Sequence, residues 1–121
     1  MPTFRTFEEI VAWQKARALT AEVYALSRSG AFRRDFGLRD QICRAAVSVM
    51  SNVAEGFERG SRPEFARFLR IARGSAGEVR SQLYVALDAD YIDQQTFDRL
   101  AEATREITHM LNRLIRHLET T

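Results

Sequence analysis

The chain has 121 residues, of which 18 are Lys or Arg and 16 are Asp or Glu, giving a formal net charge of +2. A chain of this length typically forms one domain that removes about two-thirds of its unfolded surface from water. A single cysteine, Cys43, excludes an intrachain disulfide, and no stretch approaches the roughly 20 apolar residues that span a bilayer. The first residues also lack a signal-peptide pattern. We therefore expect a single-domain cytoplasmic protein with no membrane segment.

Charge is unevenly distributed along the chain. Every basic residue except Lys15 is arginine, whose planar guanidinium binds phosphates and carboxylates. Residues 28–80 contain eleven arginines and six acidic residues, a net +5, whereas residues 81–121 contain four arginines and seven acidic residues, a net −3. A basic middle and an acidic end favour either an anionic partner or self-association with opposite charges facing each other.

The first two helices are predicted over about residues 7–29 and 38–57. Thr6 and Glu9 have the spacing of a capping box, and apolar residues then recur at helical intervals until Gly30. The second helix is expected to begin after the turn at residues 35–37 and to end near Gly56.

The last two helices are predicted over about residues 62–88 and 94–118. Ser61 and Glu64 form a second capping box, with Pro63 in the first turn, where proline is tolerated. Asp93 can cap the last helix. Four long helices with short connections predict an all-α, antiparallel up-and-down four-helix bundle over residues 1–121.

Two features inside these helices indicate neighbours. Gly74 and Gly77 lie within the third helix and together cost about 2 kcal/mol relative to alanine, so we expect close approach by a neighbouring helix or a ligand backbone. Apolar residues cover roughly 200° of the second helix, about twice the arc that one core contact needs. This arc indicates either deep burial within the monomer or, as the slightly favoured alternative, a subunit interface.

Residues typical of catalytic or metal sites do not form a convincing set. Glu106 and His109 have the Glu-x-x-His spacing of di-metal bundles, but the second copy that such a site needs is absent. Cys43 lies beside Arg39 and Arg44 without a histidine nearby in the sequence. We expect no metal, no cofactor and no enzymatic activity; a redox or metal enzyme using these residues ranks last among the alternatives.

The third helix carries the clearest candidate binding surface. Four of its arginines fall within roughly 80° of the helix circumference, where they could follow a phosphate backbone, with Tyr84 as a stacking surface. The alternative is a salt-bridged face that uses acidic residues such as Asp88, Asp90, Asp93 and Glu102. The predicted nucleic-acid-binding residues are Arg62, Arg70, Arg73 and Arg80, supported by Arg59 and Arg44.

Several short motifs resemble one known family. They comprise Phe36-Gly37-Leu38, Gln41-Ile42, Arg44-Ala45-Ala46, Ser48-Val49, Asn52-Val53-Ala54-Glu55-Gly56, Phe68-Leu69, Ile71-Ala72, Gly74-Ser75, Glu78 and Gln82-Leu83, with Trp13-Gln14 in the first helix. The chain resembles the four-helix bundle proteins named for open reading frames in intervening sequences of 23S ribosomal RNA, and the match covers nearly all of it. One departure is Cys43-Arg44, where the family often has two basic residues.

The resemblance implies a small up-and-down bundle similar to the accessory proteins of diversity-generating retroelements. Those proteins assemble as pentamers and bind nucleic acid and a reverse transcriptase. The resemblance thus implies a homo-oligomer, specifically a pentamer, with RNA or DNA as a partner and no known catalytic activity. The alternative function is a structural or adaptor protein that recruits a protein partner and binds no nucleic acid.

The polar residues within the shared motifs predict a hydrogen-bonded network between the second and third helices. Buried polar groups persist when they are paired, so residues on the two helices should meet across the contact. The predicted members are Ser48, Asn52, Glu55, Ser75, Glu78 and Gln82.

Overall fold

A computed structural model describes residues 4–120. Its helices account for most of these residues, and none of the described residues forms a β-strand. The prediction of an all-α single domain is therefore confirmed. The elements are a 3₁₀ turn (Phe7–Glu9), α1 (Val11–Ser27), a second 3₁₀ turn (Gly30–Arg34), α2 (Phe36–Glu58), α3 (Arg62–Asp88) and α4 (Gln94–Glu119).

Side-chain caps set the starts of three helices. An N-cap oxygen satisfies one of the backbone N–H groups that the first turn leaves without a partner. Asp35 accepts from the Leu38 N–H at 3.1 Å, Ser61 from the Glu64 N–H at 3.2 Å and Asp93 from the Thr96 N–H at 2.8 Å. The predicted caps at Ser61 and Asp93 are confirmed, and Asp35 starts α2 two residues earlier than predicted.

The start of α1 differs from the prediction. The Thr6 side chain makes no capping bond, and the Glu9 carboxylate instead accepts from the Arg5 N–H at 3.2 Å. Ile10 is extended and almost completely buried, and the α-helix begins only at Val11. The predicted capping box at Thr6 is therefore wrong. The residue pattern after Thr6 predicts a continuous helix, but the extended backbone at Ile10, whose side chain is buried, separates the 3₁₀ turn from α1.

Paired residues from different helices show an antiparallel arrangement. Between α2 and α3, Ser48 contacts Ser75 and Gln41 contacts Gln82. Residue numbers therefore increase along α2 in the direction in which they decrease along α3. The same inverse order relates α3 to α4, where Arg62 contacts Leu118 and Arg73 contacts Asn112. On the other side of the bundle, Lys15 and Glu106 join α1 to α4. The helices therefore run alternately up and down.

The broad apolar arc of α2 is covered mainly within the chain. Its central residues Ala46, Val49 and Val53 are fully buried, and α1 and α3 pack on its two sides. Among its large apolar residues, only Phe36 at the start and Val47, which is 37% exposed, remain open to solvent. Deep burial in the monomer thus explains most of the arc. Within residues 4–120, no helix is both long enough and apolar enough to cross a membrane.

Glycines play different structural roles at the two helices that pack most closely. A Cβ atom at Gly56 would lie only 2.7 Å from the Phe68 Cβ and 3.1 Å from the Phe65 ring, so α2 and α3 approach closely there. Gly56 lies inside α2 rather than at its end. Gly74 and Gly77 have no atom within 4 Å of such a Cβ, so the chain itself does not supply the predicted close neighbour.

Candidate nucleic-acid interface

The first arginine of the predicted row on α3 caps another helix. Arg62 donates from Nη2 to the His117 carbonyl at 2.9 Å and from Nε to the Leu118 carbonyl at 3.3 Å. These carbonyls belong to the last turn of α4, where the backbone leaves acceptors unpaired and the helix dipole favours a positive charge. Arg62 therefore stabilises the α3–α4 contact.

The next members of the row also face α4. Arg70 pairs with Glu119 at 2.7 Å, and Arg73 donates to the Asn112 Oδ1 at 2.7 Å. Arg80 is half-buried and makes no side-chain hydrogen bond to the described residues. Tyr84 packs against the Phe97 ring with 4.6 Å between centroids, which occupies one side of the predicted stacking surface.

The acidic partners that the sequence suggested for this row have other roles. Asp93 caps α4, and Glu102 lies 3.5 Å from Arg105 one turn away. Among the described residues, neither of them nor Asp88 or Asp90 pairs with an arginine of α3. Arg62, Arg70 and Arg73 are instead engaged by the C-terminal half of α4.

Arg59 lies at the α2–α3 corner in a local network. It pairs with Glu55 at 2.8 Å, reaches Glu64 at 3.9 Å and lies over the Phe68 ring at 4.9 Å. The hydrogen bond from Arg67 to Glu64 lowers the pKa of that carboxyl, with the charges of Arg67 and Arg59 adding to the effect. The positive charge of Arg59 is thus balanced by nearby acids.

Arg44, the remaining predicted residue, belongs to a different surface. We call the arginines around the α1–α2 connection the basic end. At Gly30, whose φ of +56° is readily adopted by glycine, the chain turns into the second 3₁₀ segment and reverses toward α2. Within residues 4–120, no member of this set forms an ion pair with a carboxylate. The set comprises Arg28, Arg33, Arg34, Arg39 and Arg44.

A groove of about 610 Å³ opens between α1 and α2 at the basic end. Its walls include Tyr24 and Arg28 from α1 and its end, and Arg39, Cys43 and Arg44 from α2. The Cys43 Sγ lies 3.3 Å from the Ser27 Oγ on the floor of the groove. Several guanidinium groups around one concave surface suit an anionic ligand.

The sequence places several arginines close together around the α1–α2 connection, but counting charges over long segments did not single them out. Arg33 and Arg34 are adjacent in a short connection, and Arg39 and Arg44 follow in the first half of α2. Their grouping depends on the chain reversal at Gly30, which brings the end of α1 beside α2. A single helical wheel cannot reveal a surface that two helices and a turn build together.

The predicted polar network forms in part. The Ser48 and Ser75 hydroxyls are 2.7 Å apart, and the Asn52 amide donates to the Ser48 carbonyl at 2.8 Å and to its hydroxyl at 2.9 Å. Gln82 donates to Gln41 at 3.5 Å, and its own buried Oε1 accepts no hydrogen bond from the described residues.

The two acidic members of that predicted network lie outside its hydrogen-bonded centre. Glu55 pairs with Arg59, and Glu78 lines a shallow groove beside Gln41 and Arg44. The hydroxyl and amide groups of Ser48, Asn52 and Ser75 therefore form the joined part, which fixes α2 against α3.

The residues considered for metal or redox chemistry do not form a metal-binding group among residues 4–120. Glu106 pairs with Lys15 at 2.7 Å, while His109 is exposed. Among residues 4–120, no three His, Cys, Asp or Glu side chains are grouped so that they could hold a metal ion. The last histidine, His117, has its pKa lowered by partial burial and by the positive charge of Arg62.

The fold has a solved counterpart. A protein of unknown function from the S23 ribosomal protein family of Bacteroides thetaiotaomicron VPI-5482 matches with a TM-score of 0.79 at 22% sequence identity. The match covers 87% of this chain and 98% of that one. No curated protein is significantly similar to the sequence.

The family is established by the sequence itself. Residues 8–113 match the model of the 23S rRNA-intervening sequence proteins, a range that includes α1, α2, α3 and most of α4. The chain belongs to the family of 23S rRNA-intervening sequence proteins.

Proposed function

We propose that the protein is a non-enzymatic, homo-oligomeric helical bundle that binds the backbone of RNA or DNA through arginines. The observation that carries the proposal is the basic end, whose five arginines form no ion pair among the described residues. An unpaired guanidinium can bind a phosphate without first losing a carboxylate partner. Arginines already held by acids or by helix carbonyls contribute less to such binding.

This proposal distributes the predicted residues between a principal and a secondary surface. Arg44 belongs to the principal surface because it lies at the basic end. Arg59, Arg62, Arg70, Arg73 and Arg80 form the secondary surface, where all but Arg80 contact other groups of the chain. Binding through the secondary surface alone would require some of these contacts to break.

Self-association forms the second part of the proposal. Ile71 and Val85 lie on the outer side of α3 and are 42% and 50% exposed. Gly74 lies between them along the helix, with open space where its side chain would be. A second copy covering this side would remove both apolar side chains from water. We propose a pentamer, the assembly that the resemblance of the sequence motifs to the accessory proteins of diversity-generating retroelements implies.

Salt dependence tests the nucleic-acid part. Each phosphate contact releases counterions, so affinity should fall steeply between about 50 and 200 mM salt. The double variant Arg28→Ala/Arg44→Ala should bind more weakly and flatten the salt slope by about two units. Fluorescence anisotropy with a labelled oligonucleotide measures both quantities.

The control for that titration is Arg67→Ala/Arg105→Ala. It removes the same charge, but both arginines already pair with acids three residues away on their own helices. This control should retain most of the wild-type affinity. Absence of binding at low salt, or equal losses in the two double variants, would contradict the proposed role of the basic end.

Light scattering tests self-association. Ile71→Glu should lower the molar mass in solution because a buried carboxylate at a subunit contact is costly. Gln95→Glu adds the same charge at an exposed position near the start of α4 and should leave the mass unchanged. A wild-type protein with the mass of one chain would contradict the oligomer.

An adaptor function is the second candidate, supported by an apolar groove at the other end of α1. Ile10, Val11 and Ala12 face Met110 and Leu114 of α4 across a space of about 460 Å³. Such a groove suits the apolar side of a partner helix. An adaptor that binds no nucleic acid would show no anisotropy change at any salt concentration, which separates it from the first proposal.

A further inference from the structure

The basic end presents aromatic surface among its arginines. Tyr24, on the wall of the groove, is 39% exposed, and Phe36, at the start of α2, is 64% exposed. Phe36 is the most exposed of the large apolar residues among those that the structure describes. Exposed aromatic rings are costly in water unless they have a binding role or a partner.

Separate arginine side chains contact the ring of Phe36 and the backbone of Tyr24. The Arg39 guanidinium lies over the Phe36 ring at 4.8 Å and donates to the Arg33 carbonyl at 3.0 Å. Arg28 donates from Nε to the Tyr24 carbonyl at 3.2 Å. Each of these hydrogen bonds uses one of the five N–H groups of its arginine, so donors remain for a ligand.

The acids within residues 28–44 offset only part of the positive charge of the basic end. Two acids accompany the five arginines in residues 28–44, namely Asp35 and Asp40. Asp35 accepts from the Leu38 N–H and from the Tyr91 hydroxyl at 2.9 Å, so its oxygens are engaged in the fold. Asp40 is exposed at the groove and forms no ion pair with the described residues. Residues 28–44 thus have a net charge of +3, and Glu78 of α3 lines a neighbouring groove with Arg44.

We propose that the basic end binds single-stranded nucleic acid in preference to duplex, an inference that rests on the proposed nucleic-acid function. Bases stack on Tyr24 and Phe36, while Arg28 and Arg44 contact the phosphates on either side of the groove. Alternating aromatic and basic contacts are the means by which proteins hold single strands. The groove volume lies within the range of sites that enclose small organic ligands, of which a nucleotide unit is one.

Duplex nucleic acid cannot use the aromatic part of this surface. Its bases are stacked on one another and paired, so their faces are not available to Tyr24 or Phe36 without unstacking. Duplex therefore gains only the phosphate contacts, which depend on charge alone. Preference for a single strand follows from the aromatic residues and not from the arginines.

The experiment compares three labelled probes at one salt concentration: a single strand, a duplex of the same sequence and an abasic strand of the same length. The wild-type protein should bind the single strand most tightly. Tyr24→Leu and Phe36→Leu should each weaken single-strand binding by about fivefold or more, the effect of losing one stacked base. Neither should change duplex or abasic binding, because both keep the charge.

Control variants separate a loss of base stacking from a loss of folding. Tyr84→Leu removes another half-exposed aromatic that does not line the groove and should leave all three affinities unchanged. Circular dichroism melting identifies any aromatic variant that fails to fold; for such a variant, Tyr24→Phe or Phe36→Tyr keeps a ring and should bind as wild type.

The outcomes separate the two claims. Arginine-dependent binding with no single-strand preference, or aromatic variants that bind all probes like wild type, would overturn this inference and leave the proposed function standing. No binding of any probe at low salt would overturn both. Single-strand preference that disappears in the aromatic variants would support the inference.

Discussion

The arginines on α3 and those at the basic end have the same side chain in opposite surroundings. On α3, Arg62 and Arg73 donate to a helix end and to Asn112, and Arg70 pairs with Glu119. At the basic end, five arginines form no ion pair with the described residues, and three of them, Arg28, Arg39 and Arg44, line a groove. A row of guanidinium groups on one helix thus indicates a binding surface only if the neighbouring helix leaves it free.

The two sets of arginines differ in which parts of the bundle pack against them. The fourth helix runs antiparallel to α3 and places its C-terminal carbonyls and Glu119 against the arginine row. The basic end lies at a chain reversal, where α1 and α2 meet. Tyr91 of the α3–α4 connection packs against Phe32 and Asp35 there, but none of the five arginines forms an ion pair with the described residues. The comparison predicts that substitutions on α3 affect stability more than binding, with the reverse at the basic end.

The largest expected effect concerns the contact that orients α3. Gly56→Ala places a Cβ 2.7 Å from the Phe68 Cβ, so we expect a loss of about 1–3 kcal/mol in the free energy of unfolding. Gly37→Ala is the control, because a Cβ there meets only Asp35 Oδ1, at an ordinary 3.8 Å. Urea denaturation measures both; equal stability of the two variants would show that Gly56 does not fix the α2–α3 approach.

A moderate effect is expected for the α3 row. Arg62→Ala/Arg73→Ala removes the hydrogen bonds to the end of α4 and to Asn112, at a cost of about 1 kcal/mol for each residue. Its nucleic-acid affinity should decrease less than that of Arg28→Ala/Arg44→Ala. Thermal melting and anisotropy on the same samples check this. A variant with unchanged melting temperature and abolished binding would reverse the assignment of the two surfaces.

The smallest expected effect is a pH dependence at the end of α4. Partial burial, together with the Arg62 charge, keeps the pKa of His117 below its ordinary value of 6.5. The unfolded chain therefore binds a proton more readily, and stability should decrease as pH falls from above 6.5 toward the folded-state pKa. Urea midpoints between neutral and mildly acidic pH measure this decrease.

Two substitutions check the origin of that pH dependence. His117→Gln should remove part of the decrease in stability, whereas His109→Gln, at an exposed site on the same helix, should retain it. Arg62→Ala should raise the pKa of His117 toward its ordinary value, as an NMR titration of the imidazole would show. An unchanged His117 titration in the Arg62 variant would contradict a charge effect from the α3 row.

Features that depend on neighbouring residues in the chain were predictable. The caps at Ser61 and Asp93 and the extent of α3 follow from local hydrogen bonding and a 3.6-residue apolar period, and both are confirmed. The start of α1 was not predictable in this way, because the long-range burial of Ile10 outweighs the local signal at Thr6.

The contacts of each arginine could be assigned only from the three-dimensional structure. Spacing placed Arg62, Arg70 and Arg73 on one side of α3, but it could not show that α4 supplies acceptors opposite them. In the same way, Tyr24 and Arg44 are 20 positions apart and share a groove only because the chain reverses between α1 and α2. Periodicity identifies a helix surface but not what lies against it.

The most direct measurement compares Arg28→Ala/Arg44→Ala with Arg70→Ala/Arg80→Ala in one salt-dependent anisotropy series. Both variants lose two positive charges, and the second changes residues whose loss should disturb folding little, since Arg70 holds an exposed ion pair and Arg80 makes no side-chain hydrogen bond to the described residues. We expect the basic-end variant to lose most of the affinity and the α3 variant to retain it. Greater loss in the α3 variant would contradict the assignment of nucleic-acid binding to the basic end.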